Sequence, residues 1–145
     1  MFAWVAVSTL LSDFIDRRMA AELAAGARAV MAAADWSPTG DFTIALPPTD
    51  PRFVRPLSGW YWQEVDEAEV LARSPSIVTG DLGLDGLGVA GPDGAALIAH
   101  RGGFTAPGGG RALTVTVTLP SAEAAAEVAA IRRPLLAALG VLVRC

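Results

Sequence analysis

The chain has 145 residues, enough for one domain with a sizeable core and too few for two comfortable ones. Hydrophobic residues make up 52%, much of that Ala, and the net charge is -4 from 11 basic and 15 acidic residues, which argues against a dedicated nucleic-acid binder with its basic footprint. Every basic residue is Arg, and a lone His100 with a lone Cys145 makes neither an intrachain disulfide nor a standard zinc site.

Residues 1–12 are mostly apolar, too short to span a bilayer, which needs about 20 residues, and they lack the basic start of a secretory signal. From 12 to 34 the pattern is helical. Ile15, Met19, Leu23, Ala27 and Val30 recur at three- and four-residue steps, so one long rod continuing the apolar start is expected. Trp36-Ser37-Pro38-Thr39-Gly40 supplies turn chemistry, and 42–46 reads as a short strand. The proline-dense stretch 47–51 is expected to be extended. Residues 50–63 concentrate Arg52, Arg55, Pro56, Gly59 and the aromatic run Trp60-Tyr61-Trp62, with a strand expected over 59–65. On a strand Trp60 and Trp62 share one face and Tyr61 takes the other.

An acidic patch follows: Glu64, Asp66, Glu67 and Glu69. A strand is expected over 76–82. The glycines at 80, 83, 86, 88, 91 and 94 lack the Gly-Lys-Ser/Thr ending of a phosphate loop and the glycine order of a dinucleotide fold, so they read as turns, with a strong one at Gly91-Pro92-Asp93-Gly94. Strands are expected over 95–100, ending at His100, and over 112–119, with the loop Pro107-Gly108-Gly109-Gly110 between them. In the second, Thr114, Thr116 and Thr118 alternate with Val115, Val117 and Leu119, which suggests one wet face and one buried face. A closing helix over 121–143 starts at Ser121, carries Glu123 early, and is interrupted by Pro134 beside Arg132 and Arg133, where a kink or boundary is expected. It ends in a second short apolar run. The two apolar ends read equally as clipped membrane helices or as buried terminal helices.

Nothing here carries a catalytic signature. No Gly-x-Ser-x-Gly surrounds a serine, and no cysteine has an acid–base partner. The acids Glu64, Asp66, Glu67 and Glu69 read as a solvated edge, with a cationic-peptide patch or a patch of hard oxygen ligands for Mg²⁺ or Ca²⁺ facing the membrane surface as the weaker alternative, and no metal or cofactor is expected. Trp60 and Trp62 read as core anchors. The functional alternative makes Trp60, Tyr61 and Trp62 line a pocket in which Arg52, Arg55 or Arg73 forks an anionic ligand. Asp50 with Arg52 or Arg55 reads as a loop-fixing ion pair.

The element order, helix then antiparallel strands then helix, predicts an α+β fold. The block Pro56-Leu57-Ser58-Gly59-Trp60-Tyr61-Trp62-Gln63, with the lead-in Asp50-Pro51-Arg52-Phe53, resembles the extracytoplasmic sensor domain of bacterial two-component histidine kinases. Further on, Ser74 and Ser76 fit the family pattern, while the Trp and second Arg of its next block are replaced. The resemblance implies a PAS-like (PDC-type) fold, a long N-terminal helix on a central antiparallel sheet. It divides the chain into an apolar stub of a first membrane helix (1–12), a sensor domain (13–120), and a C-terminal helix running into a second stub (121–145). It further implies an inner-membrane protein with this domain facing the periplasm, a homodimer through the N-terminal helices, and signalling of a small-molecule, ion or peptide stimulus of unknown identity to an attached kinase. This chain has no phospho-acceptor motif or ATP-binding boxes, so it is not expected to be an enzyme itself. The rival readings are a stand-alone soluble small-ligand-binding module and a small enzyme using the acidic cluster.

Overall fold

A computed structural model describes residues 2–36, 42–44, 50–67, 69–78, 80, 82, 89–92, 94–105 and 112–144. The chain is α+β. A long helix α1 (Phe2–Ala33) leads into a small antiparallel pair, β1 (Ala34–Trp36) and β2 (Phe42–Ile44). One 3-10 turn follows at Pro51–Phe53, and then the main sheet: β3 (Tyr61–Asp66), β4 (Glu69–Arg73), β5 (Val89–Ala90), β6 (Ala96–Thr105) and β7 (Ala112–Pro120). Its order is β4-β3-β7-β6-β5, antiparallel throughout. Helix α2 (Ser121–Arg144) closes the chain.

The alanine-rich α1 has high helix propensity, but its placement comes from the stripe. Ile15, Met19, Leu23, Ala27 and Val30 are all buried, at the spacing that puts them on one face. They pack on the sheet face made by Trp62 of β3 and Val115, Val117 and Leu119 of β7, with Phe53 and Trp60 joining from the preceding loop. Helix and sheet approach closely in the middle. A Cβ on Gly26 of α1 would lie 3.3 Å from Val117, and one on Gly102 of β6 would lie 2.6 Å from the Met31 methyl.

The opposite sheet face is also covered. Tyr61, Ile77, Leu82 and Leu97 form a second apolar cluster there. This corrects the expected wet face of β7: Thr114 is exposed, but Thr116 and Thr118 are 1% and 0% exposed. Thr118 has its own polar partners, since its Oγ1 donates to Gly59 O (3.0 Å) and accepts from Tyr61 N (3.2 Å).

Four other expectations change. The expected strand over 76–82 is not one among the described residues; 74–77 forms turns, and the edge strand lies earlier, at β4. Pro51 opens the 3-10 turn rather than continuing an extended loop, because a proline at the first helical position loses no hydrogen bond. His100 sits mid-strand, paired with Val117, because β6 runs on to Thr105. Pro134 lies inside a continuous α2. The Gly91–Gly94 turn is present, closed by Gly94 N to Gly91 O at 2.9 Å with Gly94 at φ +80°. The readings at 37–41, 45–49, 83–88 and 107–110 lie outside the described residues.

Candidate functional site

The aromatic block sits where every layer meets. Asp50 caps the 3-10 turn by accepting from Arg52 N at 2.9 Å. That turn brings the Arg52 side chain back over Asp50: Nε donates to both carboxylate oxygens at 3.1 Å, and Nη2 donates to Oδ2 at 2.7 Å. The same Nη2 donates to Glu22 Oε1 of α1 at 2.8 Å. The Arg52 guanidinium lies 3.7 Å from the centre of the Trp60 ring, and Phe53 meets that ring edge-on. A cation against an indole face is favourable by about 0.5–2 kcal/mol, depending on desolvation. On its other side, Trp60 Nε1 donates to Glu123 Oε2 in the first turn of α2 at 2.9 Å. Trp60 therefore links α1, the 3-10 turn, the sheet and α2.

Electrostatics follow the geometry. The Arg52 guanidinium holds Asp50 below the usual carboxylate range, chiefly by their side-chain hydrogen bonds. The same bonds keep Arg52 charged well beyond its ordinary range. Asp50 and Glu22 thus occupy the Nε and Nη2 donors of the guanidinium. The cavity among Met19, Glu22, Arg52, Trp60, Glu123 and Glu127 is about 20 Å³, enough for a single water.

A serine relay holds the backbone of this block. Ser76 Oγ donates to Trp60 O at 2.7 Å and lies 2.7 Å from Ser74 Oγ, which accepts from Trp62 N at 3.2 Å. Ser58 Oγ accepts from Trp60 N and donates to Arg52 O. Gly59 has φ +84°, and an added Cβ would lie 2.3 Å from the Pro120 ring, so only glycine fits where the chain turns into β3.

The structure brings Arg52, Trp60 and Trp62 to one region but not the other expected pocket residues. Tyr61 is on the opposite face of the sheet, in the second cluster. Arg55 is exposed, and Arg73 donates to Gly80 O at the far edge. The acidic residues are also dispersed. Glu67 and Glu69 are exposed at the β3–β4 turn, and Asp66 is partly exposed. Among the described residues no group of three or more acidic, His or Cys side chains is placed to hold a metal ion.

Glu64 departs most from expectation. It is 0% exposed, and neither carboxylate oxygen has a hydrogen-bond partner among the described residues. It stands two residues beyond Trp62 on the α1-facing side of β3, between Ala72 of β4 and Val115 of β7, at an irregularity in the β3–β4 pairing. Burial alone pushes its carboxyl up to about 7. The alternation that put Trp60 and Trp62 on one face was the signal for it. Glu22 and Glu123, the partners of Arg52 and Trp60, gave no comparable signal.

A second region lies where the helices run on past the sheet. Trp4, Val5, Ser8, Thr9 and Ser12 of α1 form, with Arg132 of α2, an open groove of about 380 Å³. Beyond it the side chains are apolar yet exposed: Phe2 is 93% and Val143 84% accessible. Among the described residues no helix is long and apolar enough to cross a membrane. No protein-family model, no curated protein and no solved structure matches this chain.

Proposed function

We propose that this chain is the extracytoplasmic stimulus-sensing module of a membrane-bound two-component histidine kinase, with a PAS-like sheet and helix arrangement. One observation carries the reading. The charge-free ends of α1 (residues 2–12) and α2 (residues 134–143) emerge side by side, as the groove between Ser8, Thr9, Ser12 and Arg132 requires. At 1.5 Å per residue these ends reach about 15 Å, half of a bilayer core of about 30 Å. Each apolar end is bordered by charge in sequence: Asp13, Asp16, Arg17 and Arg18 follow it on α1, and Arg132 and Arg133 precede it on α2. That is a polar collar followed by apolar rods, the pattern of helices entering a membrane surface.

Signalling in this reading is mechanical. α1 is both the lid of the core and one of the rods, so a shift of α1 on the sheet moves the rod. The Trp60 junction ties that shift to α2. A stimulus that favours one of two packings of α1 biases the pair of rods and through them an attached kinase. The module works as a homodimer through α1 in the inner membrane, facing the periplasm.

The test is fractionation of the native host with an antibody raised against residues 13–133, combined with protease treatment of spheroplasts. A membrane-bound band well above 15.0 kDa, cleaved from the periplasmic side, is expected. A soluble band at 15.0 kDa overturns the reading in favour of a stand-alone binding module.

A further inference from the structure

The two helices close the main core together and then run on beyond it. Leu11 of α1 and Val128 of α2 both pack against the main cluster. Ser8 lies three residues before Leu11, and Arg132 four residues after Val128, so each stands on the same helix face one turn further out. There the two faces change from apolar to polar. Ser8, Thr9, Ser12 and Arg132, with Trp4 and Val5, line the open groove of about 380 Å³. That volume lies in the range of small-ligand sites. Trp4, Ser8 and Ser12 are half-buried, whereas Arg132 is exposed.

The groove offers donors and no matching anion. Thr9 uses its hydroxyl on its own helix, where Oγ1 donates to Val5 O at 2.8 Å. Ser8 does not. Its Oγ is out of contact with water and has no hydrogen-bond partner among the described residues, which is uncommon for a buried polar atom. Rotation about a single bond turns that hydroxyl toward the groove. Among the described residues the ion pairs belong to Arg52, so Arg132 has no carboxylate partner, although Asp13 and Asp16 follow Ser12 on α1. No acidic residue lines the groove among the described residues. An arginine fork beside a hydroxyl donor suits a phosphate. The surface that continues from this polar end is apolar. Trp4 and Val5 line the groove, and Phe2 of α1 and Leu136, Leu139 and Leu142 of α2 are exposed beyond. A free phosphate leaves that surface bare to water, whereas a phosphate carrying acyl chains covers it.

We propose that this groove is a binding site for the phosphate diester of an anionic phospholipid. Arg132 pairs with the phosphate oxygens, Ser8 Oγ donates to one of them, and an acyl chain lies along Trp4, Val5 and the apolar side chains beyond. The inference rests on the membrane placement proposed above and adds a headgroup site to it. A zwitterionic lipid carries its own cation beside the phosphate, which offsets the attraction of Arg132, so a lipid of net negative charge is preferred. Such a lipid is held by α1 through Ser8 and by α2 through Arg132, and it ties the two rods together at the membrane surface.

The experiment uses the whole purified chain in neutral detergent. It is titrated separately with dihexanoyl phosphatidylglycerol, dihexanoyl phosphatidylcholine and inorganic phosphate, and each dissociation constant is read from the NMR shift of the Ser8 amide. Phosphatidylglycerol should bind at least about tenfold more tightly than either of the others. Arg132→Gln should weaken it at least about tenfold, the loss expected for a hydrogen-bonded charge. Arg133→Gln, outside the groove, should leave it within about twofold. An Arg132→Gln constant within about twofold of wild type overturns the proposal, and so does an equal loss in Arg133→Gln, which would make the attraction diffuse. Inorganic phosphate binding as tightly as the lipid assigns the groove to a free anion and overturns it too. Arg132 is exposed, so its replacement leaves the core intact, and the comparison of ligands on wild type needs no variant. Equal binding of the two lipids refutes the headgroup site and leaves the membrane assignment standing. A soluble native protein refutes that assignment whatever the titrations give.

Discussion

Replacing Gly59 with alanine should be the costliest single-methyl change in the chain, for two separable reasons. The first is the backbone. Gly59 has φ +84°, and an L-residue held in left-handed space costs about 1–2 kcal/mol. The second is space. The new Cβ would lie 2.3 Å from Pro120 Cγ and 3.0 Å from its Cβ and Cδ, and a proline ring cannot rotate away. Overpacking of this kind costs about 1–3 kcal/mol. Together the expected loss is about 2–5 kcal/mol, against a total stability of about 5–15 kcal/mol for a domain. With a urea m-value near 1.5 kcal/mol/M, a loss of about 3 kcal/mol lowers the midpoint by about 2 M. Equilibrium urea unfolding of wild type, Gly59→Ala, Pro120→Ala and the double variant separates the two causes. Removing the Pro120 ring should restore the steric part, giving a coupling of about 1 kcal/mol or more, and leave the backbone part. A Gly59→Ala midpoint within 0.3 M of wild type refutes the reasoning.

Trp62→Ala, which empties a 3%-exposed site in the main core, should cost about 3–5 kcal/mol in the same unfolding assay, and an unchanged midpoint would remove Trp62 from the core. Trp60→Phe keeps the ring stack but loses the 2.9 Å bond to Glu123, so a smaller loss of about 1 kcal/mol is expected, and it should vanish in a Glu123→Ala background. Glu22→Gln breaks an ion pair whose side chains are 37% and 43% accessible, so thermal unfolding should change by less than about 1 kcal/mol and less still at high salt. Glu64 makes stability depend on pH. Its folded carboxyl, near 7, lies above the ordinary 4.5, so between those values the folded state holds a proton that the unfolded state has released. Its contribution is therefore fully present below about pH 4.5 and is lost as pH rises toward 7, by an order of about 3 kcal/mol. Denaturant unfolding across pH 5–8 should show this slope in wild type and a flatter one in Glu64→Gln.

Some of this was readable in the sequence because period alone decides it. The α1 stripe, all five positions of which are buried, needs only a 3.6-residue repeat. The opposite facing of Tyr61 and of Trp60 with Trp62 needs only alternation. The rest depended on what covers a face. Thr116 and Thr118 look solvent-facing until Ile77 and Leu82 pack on that face of the sheet. β4 was missed because Glu69-Val70-Leu71-Ala72-Arg73 carries too weak an alternation and too much charge to announce an edge strand. Glu64 looked like one member of an acidic edge. Only the register that sets β3 between β4 and β7 shows that this one acid turns inward. The Arg52, Asp50 and Glu22 cluster joins residues thirty positions apart, which no local pattern encodes.

The most direct test of the proposed role is whether the paired helix ends enter a bilayer. The whole chain is mixed with phospholipid vesicles and floated through a density gradient, beside a Leu10→Asp, Leu142→Asp variant that charges one exposed position on each end. Wild type floating with the vesicles, and the variant staying below, is the predicted result. Wild type remaining below as a monodisperse soluble protein, indistinguishable from the variant, would contradict the membrane-sensor account.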